Sequence, residues 1–318
     1  MRVGLAIAAL CLALAAPSAA AAQPVELAAP YEYLGWGSPQ PPVGVMAATG
    51  LSDLTLAFIL SSGKCNPEWD GSRPLAGGPD EAAIRSIRAA GGDVAVSFGG
   101  WSGRKLGVSC HSAAALAAAY QRVISAYSLK AIDVDIEHTE LSSSAARARV
   151  IGALALVQAA NPGIEISLTL GSGEAGPEGA GASLITAAAA AGLRPTAWTL
   201  MPFDFGAPAS DMGHASTRAV EALARLLQSA YGVSAEASYA MSGISSMNGR
   251  TDEKAETVTV ADFQTILAFA QLHHLARLSF WSVNRDRQCS GSITVSDECS
   301  GIAQTPFAFS DLMAQYHG

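Results

Sequence analysis

Residues 132–137, Ile-Asp-Val-Asp-Ile-Glu, set apolar and acidic side chains in strict alternation. A period of two is that of a β-strand. Asp133, Asp135 and Glu137 therefore face one way, and Ile132, Val134 and Ile136 the other. Carboxylates are poor strand formers and costly to bury unpaired, so this is no plain core strand. A solvated edge strand would carry the same pattern. A catalytic strand is the reading that the rest of the chain supports. Packed carboxylates raise one another's pKa, which keeps one of them protonated near neutrality, as a general acid must be.

Around this segment, apolar and β-branched runs alternate with helical stretches. Strands are expected near 31–36, 53–60, 93–98, 131–137, 164–170, 196–201, 237–242 and 277–282. Helices are expected near 43–49, 79–90, 112–126, 142–160, 181–191, 212–230, 260–272 and 306–316, with Ser112 and the Ser142–Ser144 cluster as caps. Eight strands alternating with helices predict a single-domain α/β fold, a (β/α)8 TIM barrel. In such barrels the active site lies at the C-terminal ends of the strands. That rim collects Ser97-Phe98-Gly99-Gly100-Trp101, Asp135 and Glu137, Met201-Pro202-Phe203-Asp204-Phe205, and Phe280-Trp281-Ser282. Aromatic rings, carboxylates and glycine turns on one rim are what a sugar-binding cleft needs.

The ends and the composition narrow the class further. Arg2, the apolar run Val3–Ala16 and the alanines up to Ala22 read as a signal peptide over residues 1–22, leaving a barrel over 23–318. Export, extracellular or periplasmic, is therefore expected, with no membrane association after cleavage. The four cysteines beyond the leader, Cys65, Cys110, Cys289 and Cys299, then imply two disulfides in one of three pairings. A formal net charge of −8 with no basic run argues against a nucleic-acid partner. No Cys-x-x-Cys or His-Glu-x-x-His spacing occurs, so no metal is expected, nor any organic cofactor. The Gly171–Gly176 run matches a dinucleotide-binding pattern but reads better as a loop over the cleft. Trp36 and Trp101 are candidates for extra sugar stacking, Trp69 for the cleft rim, and Trp198 for the core.

Together the rim segments resemble glycoside hydrolase family 18, the chitinase family. Its strand-four signature, Asp-Gly-x-Asp-x-Asp-x-Glu, is matched by Lys130-Ala131-Ile132-Asp133-Val134-Asp135-Ile136-Glu137. Ser-x-Gly-Gly on strand three is matched by Ser97-Phe98-Gly99-Gly100, and Met-x-Tyr-Asp on strand six by Met201-Pro202-Phe203-Asp204. Trp281 matches the family's tryptophan at the end of strand eight. Segments such as Ser62-Gly63-Lys64-Cys65 and Arg285-Asp286-Arg287-Gln288-Cys289 look like those of compact secreted bacterial members.

The resemblance implies a general acid at Glu137. It implies that Asp135 orients the substrate's N-acetyl group and that Asp133 is its deeper partner, sharing a proton or hydrogen bond with it. The nucleophile is then the substrate's own acetamido oxygen, the substrate-assisted route to retention. Trp281, Asp204, Met201, Phe203, Ser97, Gly99, Gly100 and Trp101 would bind sugar. The implied partner is chitin or another N-acetylglucosamine-containing oligosaccharide, with a monomer expected. With no appended binding module, soluble or amorphous chitin is expected over the crystalline form.

Lys130 and Ala131 depart from the signature at the start of the strand, away from the chemistry. Phe203 departs where the family has a tyrosine whose hydroxyl holds the acetamido carbonyl. Losing such a donor costs about 10²–10³ in rate unless another replaces it. Tyr239 or Ser242 on strand seven, and Asn284 or Arg285 after strand eight, are the candidate substitutes. The rival readings are a non-catalytic chitin-binding lectin, which Phe203 and Phe205 favour, and an endo-β-N-acetylglucosaminidase acting on glycoprotein or peptidoglycan glycans.

Overall fold

The computed structural model describes residues 1, 24, 25, 27–206, 211–253, 255–291 and 295–318. The expected leader lies outside them except for Met1. Eight parallel strands close into a barrel: β1 (Tyr31–Tyr33), β2 (Asp53–Ser61), β3 (Asp93–Gly99), β4 (Ala131–Asp135), β5 (Glu165–Gly171), β6 (Ala197–Met201), β7 (Ser242–Met247) and β8 (Arg277–Trp281). Closure runs through β1, which pairs with β8 at Tyr31↔Trp281 and with β2 at Tyr31↔Thr55. A short antiparallel strand, Pro67–Trp69, extends the far end of β2.

Helices lie between the strands, and local chemistry explains where they start and stop. Ser112, Ser143 and Asp211 each accept the backbone N–H three residues on. Thr259 and Asp262 form a reciprocal capping box at the start of Val260–His273. Gly232, at a left-handed φ of 66°, ends Met212–Tyr231.

The strands' alternation divides the molecule into two environments. Outward residues such as Leu54, Val96, Ile132, Val134, Leu168, Leu200, Ile244 and Phe280 are buried under the helices and form the apolar core. Many inward residues are polar: Thr55, Ser97, Asp133, Thr169, Ser245, Arg277 and Ser279 are all buried within the barrel. The acidic face of the strand-four segment thus points into the barrel and its β-branched face into the core, as its period required.

Two local expectations fail. Strand seven spans Ser242–Met247, while 235–239 is a short helix capped by Ser234. Its serines occupy buried positions where apolar residues were sought, and Tyr239 packs outside on His273, ring centroids 4.1 Å apart. Trp69 is not at the cleft rim: it is fully buried and donates its indole N–H to Tyr127 at 2.8 Å. Trp198 is in the core as expected. The cysteines pair Cys65–Cys110, joining the loops after β2 and β3, and Cys289–Cys299, closing a loop after β8.

Candidate active site

Asp133 lies deepest. Its Oδ2 accepts from the Tyr31 hydroxyl at 2.7 Å and from Ser97 at 2.5 Å. Its Oδ1 accepts from Thr169 at 2.6 Å and from the Arg277 guanidinium at 2.8 Å. Four donors from β1, β3, β5 and β8 therefore occupy its lone pairs. Burial and the Asp133 charge push the Tyr31 phenol well above its ordinary range, so it stays a donor. The expected bond between Asp133 and Asp135 does not form, because these donors leave no room for it.

Asp135 is coupled to Asp133 through charge alone. It is buried, and among the described residues its Oδ1 has no hydrogen-bond partner. Desolvation, then repulsion from Glu137 and Asp133, raises its pKa well above the carboxylate range. Glu137 follows the end of β4, at the start of the helix His138–Ser142. Burial pushes its pKa up to about 7, the nearby Lys105 ammonium opposing this and Asp204 adding to it. The strand therefore presents two carboxyls that hold their protons to unusually high pH, one in the barrel mouth and one at its lip.

These groups open on a cleft of about 490 Å³, lined among others by Asp135, Glu137, Tyr33, Trp36, Phe58, Trp101, Met201, Phe203, Asp204, Ser245, Met247 and Trp281. Trp281 stacks nearly parallel on Phe58, centroids 5.6 Å apart at 15°. Tyr31 lies 5.9 Å and Tyr33 6.3 Å from its ring. Trp101 is 68 % exposed and meets His138 edge-on at 3.8 Å. Apolar faces beside a few polar groups suit a sugar ring, which is apolar on its faces and polar at its edges.

Ser97, Gly99 and Gly100 stand behind the cleft wall rather than on it. The Ser97 hydroxyl is given to Asp133. A Cβ on Gly99 would come within 2.1 Å of the Asp135 carbonyl oxygen, and one on Gly100 within 2.8 Å of the Phe58 ring. Both glycines have positive φ, so the turn requires them on two counts. Met201, Phe203 and Asp204 do reach the cleft, and Glu256 fixes their loop by accepting from the N–H groups of Asp204, at 2.7 Å, and Phe205, at 3.1 Å.

Four residues escaped the sequence reading. Tyr31 and Tyr33 alternate on one strand, a period that could have placed both inward. Glu256 carries no local signal, since its role is a contact 51 residues distant. Lys105 is buried and donates to the carbonyls of Gly100 and of Ser102, the latter at 2.6 Å. Nothing in its neighbourhood along the chain marks it.

A parallel barrel with paired carboxyls in an aromatic cleft at its C-terminal rim defines a barrel glycoside hydrolase. No family model matches the chain. It resembles the catalytic domain of a hyperthermophilic chitinase from Pyrococcus furiosus at 30 % identity and a TM-score of 0.83, over 93 % of this chain and 96 % of that one. Catalytic-site mutants of active domain 2 of a thermostable chitinase from Pyrococcus furiosus, complexed with chito-oligosaccharides, match at 29 % identity and a TM-score of 0.82, over 93 % and 95 % of the two chains. A probable bifunctional chitinase/lysozyme of Escherichia coli is 27 % identical over 285 residues, 84 % of this chain and 32 % of its own length. Endochitinase 11 of Metarhizium anisopliae is 26 % identical over 250 residues, 74 % of this chain and 48 % of its own. The chain thus spans about a third to a half of these two curated relatives. It belongs to glycoside hydrolase family 18.

Proposed function

We propose that the protein is an exported chitinase that cleaves β-1,4-linked N-acetylglucosamine polymers or oligomers with retention of configuration. The observation that carries this reading is Glu137, a carboxyl whose pKa is pushed up to about 7, at the lip of an aromatic cleft beside the unpaired Asp135. In the proposed reaction the sugar stacks on Trp281, and its acetamido N–H is accepted by Asp135. Glu137 gives its proton to the glycosidic oxygen as the bond to the anomeric carbon breaks. The acetamido oxygen closes onto that carbon, and the positive charge of the resulting ring lies beside Asp135. Water then opens the ring while Glu137, now a carboxylate, takes its proton. This substrate-assisted route needs no second carboxylate at nucleophile distance. The leader expected from sequence at residues 1–22 supports export.

The test is hydrolysis of a short N-acetylglucosamine oligomer by wild type and Glu137→Gln, with binding measured in parallel. We expect turnover to fall by about 10²–10⁴ in the variant while binding persists. The acid must carry its proton, so wild-type kcat/KM should decline as pH rises through about 7, the pKa of the unliganded enzyme's Glu137. Equal turnover by both proteins would sink the mechanism. Binding without turnover by either would mark a lectin, the reading that Phe203 favours. Turnover of peptidoglycan instead would favour the second activity in the Escherichia coli relative's name.

A further inference from the structure

The strand-six motif brings no hydroxyl to the cleft, because Phe203 stands where the family has tyrosine. The four substitutes expected from sequence are all committed elsewhere. Tyr239 lies on the helix Ala235–Tyr239, packed on His273. Ser242 donates to the Ser238 carbonyl at 2.8 Å. The Asn284 amide bridges the backbone N–H and C=O of Tyr33 at 2.9 and 2.8 Å. Arg285 donates to the carbonyls of Asn248 and Ser296, both at 2.9 Å. The Tyr31, Ser97 and Thr169 hydroxyls are held by Asp133.

Ser245 is different. It is 1 % exposed, it lines the cleft, and among the described residues its Oγ has no hydrogen-bond partner. It lies in the middle of β7, opposite Ser279 of β8 and one residue beyond the Leu200↔Ile244 pair with β6. That register sets it beside Met201, the first residue of the strand-six motif. A buried hydroxyl left unpaired is destabilising, so its place in the cleft asks for a ligand atom. The cleft holds a second buried orphan, Asp135 Oδ1, which can only accept while ionised and beside which an N–H belongs. One orphan acceptor and one orphan hydroxyl match the two polar ends of an amide.

Resting on the chitinase reading, we propose that Ser245 is a further catalytic residue, whose hydroxyl donates to the carbonyl oxygen of the substrate's acetamido group in place of the missing phenol. The serine makes and breaks no covalent bond. It aligns the oxygen that attacks the anomeric carbon. Ser172 also lines the cleft with an unpartnered hydroxyl, but it follows β5 on a loop and lacks the support of strands on both sides.

The experiment measures kcat and KM on an N-acetylglucosamine oligomer for wild type, Ser245→Ala, Ser172→Ala, Phe203→Tyr and the double variant Ser245→Ala/Phe203→Tyr. Ser245→Ala should lower kcat/KM by about 10²-fold, mainly through kcat. Phe203→Tyr should recover at least about tenfold of that loss in the Ser245→Ala background and improve wild type far less, because one hydroxyl then substitutes for the other. Should Ser245→Ala unfold, Ser245→Thr and Ser245→Val are compared instead, two side chains of one shape that differ by the hydroxyl. Retention in Thr with loss in Val supports the proposal. Ser245→Ala within twofold of an active wild type overturns it while leaving the chitinase reading intact. So does a loss that follows Ser172→Ala instead, equal activity of Thr and Val, or an equal gain from Phe203→Tyr in both backgrounds. An inert wild type overturns the chitinase reading, and this inference with it.

Discussion

Asp133 and Asp135 stand two residues apart on one face of one strand, yet they live in opposite surroundings. Asp133 accepts four hydrogen bonds, one from a fully buried guanidinium. Asp135 has an oxygen with none and a pKa raised well above its usual range by burial and by its acidic neighbours. The difference shows what depth in a barrel does to one residue type. Near the middle, other strands surround a carboxylate with donors and it becomes structural. One storey higher the ring of donors stops, and the same group is left with a vacancy that a ligand can fill.

The largest effect should come from breaking the lower storey. Asp133→Ala leaves Arg277 buried without its carboxylate and should cost about 3–5 kcal/mol of stability, read from the urea midpoint. Asp135→Asn should stay within about 1 kcal/mol of wild type, because the neutral amide removes a charge that burial and the acidic neighbours disfavour, while turnover falls by about 10² or more. A stable Asp133→Ala or an unfolded Asp135→Asn would erase the contrast.

Glu32 sharpens it. This carboxyl is as buried as Asp133 but among the described residues neither of its oxygens has a partner, and burial raises its pKa from 4.5 to about 8. The folded state therefore holds a proton that the unfolded state releases above pH 4.5. Its stability is full below that pH and is lost as pH rises to about 8, at up to about 1.4 kcal/mol per unit. Glu32→Gln should flatten the decline in melting temperature across this window, and an unchanged slope would clear Glu32 as its cause. The smallest effect belongs at the outer edge of the cleft. Trp101→Ala should raise KM about 2–10-fold with kcat unchanged, consistent with one aromatic face worth about 0.5–1.5 kcal/mol. A fall in kcat alone would place Trp101 nearer the chemistry.

Most of the fold is legible along the chain because outward strand positions are apolar and many inward ones are polar. Strand seven is the exception. Its Ser-Gly-Ile-Ser-Ser-Met run lacks the apolar marks that betray a strand, while Tyr239 to Met241 beside it carries them. The acidic pattern of strand four announces the carboxylates. What encloses them is not announced: Tyr31 lies 102 residues from Asp133 and Arg277 lies 144 away, distances over which no local period operates. The orphan hydroxyl of Ser245 is illegible for the same reason, since its importance rests on what every other donor is doing.

That reach has a consequence for time. A chain made from its first residue onward presents Asp133 long before Arg277 exists. Until β8 arrives, the central carboxylate lacks its cation and the barrel has no seam. The site is complete only once the last strand pairs with the first and brings the guanidinium with it. A chain interrupted before residue 277 has Asp133, Asp135 and Glu137 and no active site.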